Sequence, residues 1–494
     1  MKKLLSKLIR LLFICIILLT IAFTVGINLP TENFEQKTTN ISKLYLKNAR
    51  IIDIKNGKVS ESQNITIIDG RIIKIDSTDE NPTEFQVIDI KNKYVMPTLW
   101  DMHVHTLSLS PQLHFPLLIA NGVTNIRDMG DGDSWISDLD KPLEKDKLIW
   151  EAAAKNGLLM PRIWESCSYH VEELEDISPK DLVTGLKARN EPFIKLQLED
   201  SELPAATFYA LQSEAKKQQI KILGHLSCNV DIDTVLQNGY RSIEHAWALI
   251  PHFVKEKKRF EKDLETKAYE LNNQDLVLTN SVLKKIANSN TYYCPTNVTS
   301  NRKEALVFDK EFTESPHNEY VETVQLKLWR LWASLHKSGY DKPEQQAILR
   351  NYYRKGLEIT DLAHKNGVKI LAGTDALDRY VYHGFSLHDE LVELTKAGLS
   401  NAEALKTATI TPSEYYQVTA DYGSIEEGKI ADLLILEKNP LEEISNTKSI
   451  EAVYFNQQLY EKQDLDSMKN YVREQAKSFS ISCKFLWNML KGMF

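Results

Sequence analysis

The chain has 494 residues, 43% of them hydrophobic and 26% charged, and a net charge of −8 from interspersed acids and bases. That composition excludes a disordered chain, and the lack of a basic stripe argues against a nucleic-acid partner. The length suffices for one large barrel or for two to three domains around a substantial core.

At the N-terminus Lys2, Lys3, Lys7 and Arg10 precede an apolar run, Leu11 to Val25, inside an uncharged stretch that reaches Thr31. The run is near the length that crosses a bilayer, and the positive residues ahead of it orient the N-terminus toward the cytoplasm. Residues 1–31 therefore read as an export signal or membrane anchor. No A-x-A cleavage site follows, which favours an uncleaved anchor. The remainder is expected on the far side of the membrane, facing the periplasm or the exterior, or secreted if the segment is removed. Cys15, Cys167, Cys228, Cys294 and Cys483 stand singly, so neither a zinc ribbon nor a disulfide framework is implied.

Between residues 42 and 95, short alternating runs such as Leu44-Tyr45-Leu46 and Ile65-Thr66-Ile67-Ile68 are broken at Asn56-Gly57 and Asp69-Gly70. Alternation with such turns predicts strands joined by hairpins. The same texture returns over 421–462, and the two segments together are expected to form one small β-sandwich domain. Residues 96–420 alternate apolar strand segments with amphipathic helices, the pattern of an α/β protein with parallel strands. A (β/α)8 TIM-like barrel fits, with a charged helical insertion at about 251–355. The tail, 463–494, mixes aromatics with lysines. It suits either an interfacial helix on a membrane or a helix docked on the protein's own surface.

Chemistry enters at Asp101-Met102-His103-Val104-His105. Residues two apart on a strand face the same side, so both imidazoles can reach one metal ion. Alone, the pair is weak evidence. It gains weight because Lys195, His225, His245 and Asp375 also stand at or near the ends of successive expected strands, where a barrel gathers its catalytic groups.

These stretches, with Asn121-Gly122-Val123-Thr124, Ala372-Gly373-Thr374-Asp375 and Gly423-Ser424-Ile425-Glu426-Glu427-Gly428, resemble the amidohydrolase superfamily. The similarity runs from about Leu44 to Tyr460 and lies nearest the imidazolonepropionase-like and prolidase-like metal-dependent hydrolases. Thr98 and Trp100 depart from the family pattern without touching an expected ligand. The resemblance implies two divalent metal ions, with His103, His105 and Asp375 on one and His225 and His245 on the other. It further implies that Lys195 bridges them as a carbamate. Zinc suits such an imidazole-rich set.

The reaction implied is cleavage of an amide bond in a small molecule, a dipeptide or N-acyl amino acid. A hydroxide bridging the metals would attack, and Asp375 would shuttle the proton. Alternatives are hydrolysis of a cyclic amide, lactone or phosphotriester, and a catalytically inactive barrel acting as scaffold or receptor. Deamination fits poorly with a strand-borne lysine. Tyr169, His170, Tyr293, Arg379, Tyr380, Tyr382 and His383 follow expected strands and are candidates to meet substrate. The expected partners are that small molecule and, through the chain's two end segments, a membrane.

Overall fold

The computed structural model describes residues 2–78, 82–131, 146–168, 170–171, 177–198, 203–257 and 263–491. Tyr169 lies outside the described residues.

The N- and C-terminal strands build one eight-stranded sheet. In spatial order it runs Gln458–Glu461, Ile450–Phe455, Leu433–Leu436, Tyr94–Pro97, Lys43–Asp53, Lys58–Ile68 and Arg71–Asp76, with Gln86–Asp89 added on Lys43–Asp53. The long strand Lys43–Asp53 shifts register between Leu46 and Ala49, so its first half pairs with Gln86–Asp89 and its second with Tyr94–Pro97. The inward positions Leu44, Leu46, Ile65, Ile67, Leu433 and Tyr454 form its core. Strand Tyr94–Pro97 joins the two chain segments by pairing antiparallel with Leu433–Leu436.

The barrel follows directly. Its strands are β1 (Leu99–Thr106), β2 (Val123–Asp131), β3 (Arg162–Ser166, resumed at His170–Val171), β4 (Phe193–Leu196), β5 (Lys221–Gly224), β6 (Ser242–Glu244) and β7 (Tyr292–Cys294). All pair in parallel, β1 to β3 in one ladder and the resumed part of β3 through β7 in another. The eighth position is the extended segment 369–372, which closes the ring. On one side the Leu371 amide donates to the Tyr293 carbonyl at 2.8 Å, and on the other the Met102 amide donates to the Ala372 carbonyl at 2.9 Å. Most strand positions are buried on both faces, as expected where helices cover a parallel sheet.

Helices Leu264–Asn272, Leu276–Ala287, Thr323–Gly339 and Pro343–Lys365 fill most of the stretch expected as an insertion, and β7 divides them. The tail is two helices, Lys462–Gln475 and Phe479–Lys491. The N-terminal helix, Lys2–Asn28, contains 22 residues, Lys7–Asn28, long and apolar enough to cross a membrane, and the most apolar part is not buried.

Candidate active site

Five of the seven strand courses and the closing segment deliver polar side chains to one end of the barrel. In β1, His103 is fully buried and His105 half-buried. Asp375, three residues past the closing segment, brings Oδ1 to 3.2 Å from His103 Nε2 and 3.1 Å from His105 Nε2. His245, just past β6, is in the same cluster: ligand atoms of His103, His245 and Asp375 all lie within 4.8 Å of one another. His225, just past β5, stands edge-on to His245 with ring centroids 4.8 Å apart. Lys195, in β4, is buried, and its Nζ has no hydrogen-bond partner among the described residues.

The second ring nitrogen of three of these four histidines shows how their rings are aimed. His103 Nδ1 lies 2.8 Å from Glu244 Oε2, and His105 Nδ1 lies 3.0 Å from the Gly130 carbonyl. Both acceptors lack a proton to give, so Nδ1–H donates, and Nε2 is the nitrogen that faces Asp375. His245 Nδ1 is held by the Thr296 hydroxyl at 2.7 Å. Imidazoles fixed through one nitrogen, with the other free and convergent, are what a metal site requires.

Glu244 is the residue that sequence reasoning missed. It stands in Ser242-Ile243-Glu244-His245 only as His245's neighbour, yet its carboxylate reaches the same His103 ring that His245 stands beside. There it meets Arg127 of β2, whose Nη2 donates to Glu244 Oε1 at 2.8 Å and whose Nε donates to the Met102 carbonyl at 2.6 Å. Burial pushes the Glu244 carboxyl up, but Arg127 and His103 outweigh it and hold it well below the usual carboxylate range. The available signal was a charged residue within a barrel strand, Glu244 in Ser242–Glu244 and Arg127 beside Asp128 in Val123–Asp131.

Desolvation also acts on the other charged groups. Burial lowers the Lys195 amine below its ordinary value despite the nearby Glu244 and Asp375 carboxylates. Asp375 is raised by burial yet ends well below its usual range because His103, His245 and His105 surround it. Asp101 is pushed up to about 7, chiefly by burial. It takes the Thr374 hydroxyl at 2.6 Å and the Thr374 amide at 3.0 Å, which fixes the turn that carries Asp375.

Backbone geometry at the site is costly. His245 has φ 71° and Asp375 has φ 60°, left-handed values that non-glycine residues adopt rarely and at about 1–3 kcal/mol. Close approach demands glycine nearby: a Cβ on Gly373 would fall 2.7 Å from His103 Cβ, and one on Gly130 would fall 1.7 Å from His170 Nε2.

The candidate substrate residues divide. His170 is brought near, its ring 6.0 Å from His105, with its pKa lowered to about 3 by burial and by His105. His383 stacks on His114 at 3.7 Å and bonds the His105 carbonyl at 2.9 Å, so it supports the ligand strand. Tyr382 points to Asn318, and Tyr380 packs under Trp329 and Phe312. Arg379 lies over the Trp332 ring of the insertion, away from Asp375's partners. Tyr293 is not at the site. It is fully buried in the main core beside Thr360 and Glu390, because β7 turns it outward to the helices.

The structure is similar to solved proteins of one kind. It matches a Xaa-Pro dipeptidase solved with bound methionine at TM-score 0.59 and 19% identity, covering 85% of this chain and 100% of that one. Bottromycin amidohydrolase matches at TM-score 0.66 and 19% identity over 93% and 94%, and A. niger ochratoxinase at 0.55 and 16% over 86% and 96%. At these identities the likeness is one of fold. Among curated proteins, a dihydroorotase of Caldicellulosiruptor saccharolyticus is 41% identical over 63 residues, only 13% of this chain and 14% of that protein. Residues 94–458 match the model of the amidohydrolase family, and the chain belongs to that family.

Proposed function

We propose that the chain hydrolyses an amide bond in a small substrate, a dipeptide or N-acyl amino acid, with two divalent metal ions resident at the barrel's end. His103, His105 and Asp375 would hold one ion, His225 and His245 the other, and Lys195, as a carbamate, would bridge them. The carrying observation is the convergence of oriented histidines on Asp375 beside a buried lysine amine that has no hydrogen-bond partner among the described residues. Burial shifts the Lys195 amine toward its neutral form, which is the form that takes up carbon dioxide, and the resulting anion would suit two adjacent cations. The N/O donor set suits zinc.

Bound metal ions supply a water acidic enough to act as nucleophile near neutral pH and a Lewis acid for the carbonyl. The chain's own groups do the remainder. Glu244 and the Gly130 carbonyl hold the two β1 imidazoles in the tautomer that presents Nε2. Asp375 accepts the proton at a carboxylate oxygen and returns it to the leaving amine. The dipeptidase and amidohydrolases of similar fold support the choice of amide substrates.

Asp375→Asn is expected to keep bound metal, measured by elemental analysis, and to lose about 10²–10⁴-fold in kcat. Full activity would remove Asp375 from the reaction. A panel of dipeptides and N-acyl amino acids tested with metal-loaded protein is expected to release amino acid from at least one member. The N-terminal helix is read as a retained span that leaves the barrel on the non-cytoplasmic side, supported by its length, its exposed apolar surface and the basic residues ahead of it.

A further inference from the structure

The two terminal helices meet. Ser480 Oγ donates to the Gly26 carbonyl at 3.1 Å, Lys484 reaches Thr31, and the rings of Phe23 and Trp487 lie edge-on at 6.5 Å. A Cβ on Gly26 would fall 2.5 Å from Cys483 Sγ, so glycine permits the close crossing. Residue 23 is about 7 Å along the helix from its end at Asn28, at 1.5 Å per residue. A helix clamped there sits at the depth where headgroups meet acyl chains.

The inner side of Phe479–Lys491 rests on the barrel's catalytic rim. Ile481 and Phe485 pack with Leu107, Leu109 and Leu113, which follow His105 in the chain, and with Leu377, two residues past Asp375. Asn488 Nδ2 donates to Ser108 Oγ at 2.6 Å. Away from the barrel the helix keeps Leu486, Met489 and Leu490 exposed, and Phe479 and Trp487, which touch the N-terminal helix at Gly26 and Phe23, stay partly exposed at that crossing, with Lys484 and Lys491 on the same helix.

The insertion helix Thr323–Gly339 starts from the same place: the Thr323 amide donates to the Ala476 carbonyl, and Val324 joins the same apolar cluster. Trp329 and Ala333 face inward onto Tyr380 and Tyr382. Outward it shows Leu328, Leu331 and Leu335, 41%, 56% and 65% exposed and spaced as one helical stripe, beside Lys327 and Arg330. Leucines flanked by cations, joined to an exposed tryptophan and to a bilayer-length span, have the chemistry of a lipid interface.

We propose that the outer face of Phe479–Lys491 and the leucine stripe of Thr323–Gly339 form one bilayer-docking surface, continuous with the exit end of the N-terminal helix, which lays the catalytic rim against phospholipid. This rests on the N-terminal helix being a retained span.

The test uses the full chain in phosphatidylcholine–phosphatidylglycerol vesicles, with Cys15→Ser removing the one exposed thiol among the described residues. A small fluorophore is attached in turn to Leu331→Cys, Leu490→Cys, Leu19→Cys within the span, and Val277→Cys, whose parent residue is 82% exposed on the outer helix ring. Quenching is then measured with lipids spin-labelled near the headgroup for 331, 490 and 277, and with lipids spin-labelled deep in the acyl chain for 19, which lies about 13 Å along the helix from its end. Several-fold quenching is expected at 331 and 490 relative to 277. Quenching at 19 with 331 and 490 as bright as 277 overturns the docking surface while the span stands. Quenching at 490 but not 331 overturns the two-helix surface. An unquenched label at 19 overturns the span and the surface with it. Disulfide capture between Leu331→Cys copies without lipid quenching assigns the stripe to a second copy and also overturns the proposal.

Discussion

The small sheet and the catalytic end of the barrel are built on opposite terms. The sheet domain's core, from Leu44 and Ile65 to Leu433 and Tyr454, is almost wholly apolar, and its turns fall at Gly57 and Gly70, where φ is positive. At the barrel's end, Asp101, His103, Arg127, Lys195, Glu244 and His245 are nearly fully buried, and His245 and Asp375 hold unfavourable backbone angles. One region is stable because it removes apolar surface from water. The other tolerates desolvated charge because each charge is paired, except where a ligand is wanted.

Breaking the pairing gives the largest expected loss. Arg127→Met leaves Glu244 buried opposite His103 with its main partner gone, and should cost about 3–5 kcal/mol in chemical denaturation. A cost under 1 kcal/mol would mean the pair is not what steadies the barrel's end. Glu270, in helix Leu264–Asn272, separates burial from function. Its carboxyl accepts from the Tyr352 hydroxyl at 2.6 Å, and burial raises its pKa from 4.5 to about 7. A raised acid means the folded state binds the proton more tightly, so stability is fullest below pH about 4.5, falls as pH rises to about 7, and stays low above. Glu270→Gln should therefore gain up to about 3 kcal/mol above pH 7 and nothing at pH 4.5, read from urea midpoints. An equal gain at both pH values would contradict the sign.

Metal removal sharpens the contrast further. Chelation should lower the melting temperature, and restoring zinc at about 100 times Kd should return about 2.7 kcal/mol. Ile65→Val in the sheet core should cost only about 0.5–1.5 kcal/mol, by the same amount with or without metal. A metal-dependent cost at Ile65 would show that the sheet core is energetically coupled to metal affinity at the barrel's end.

The sequence announces the site through residue type and order. His103 and His105 are legible because a spacing of two has one meaning on a strand, and Lys195, His225, His245 and Asp375 because each interrupts an apolar segment at its end. Tyr293 was misread for the converse reason. Tyr292, Tyr293 and Cys294 are all buried, so alternation carries no contrast to say which side of β7 faces the site. Glu244 and Arg127 were passed over because their meaning is a contact between β6 and β2, distant in sequence. The closing segment 369–372 has so few ladder bonds that only its place before Asp375 marks it as part of the ring. The resemblance of the hairpin segments at either end needed only their turns and alternation, which are local.

The apolar cluster Leu107, Leu109 and Leu113 adjoins β1 and is translated early, whereas its cover, Phe479–Lys491, is translated only after the whole barrel. Until that helix emerges, the rim beside His105 is an exposed sticky surface and Gly26 faces no partner. A chain lacking Phe479–Lys491 is therefore expected to expose that apolar cluster, the kind of surface that favours aggregation and proteolysis.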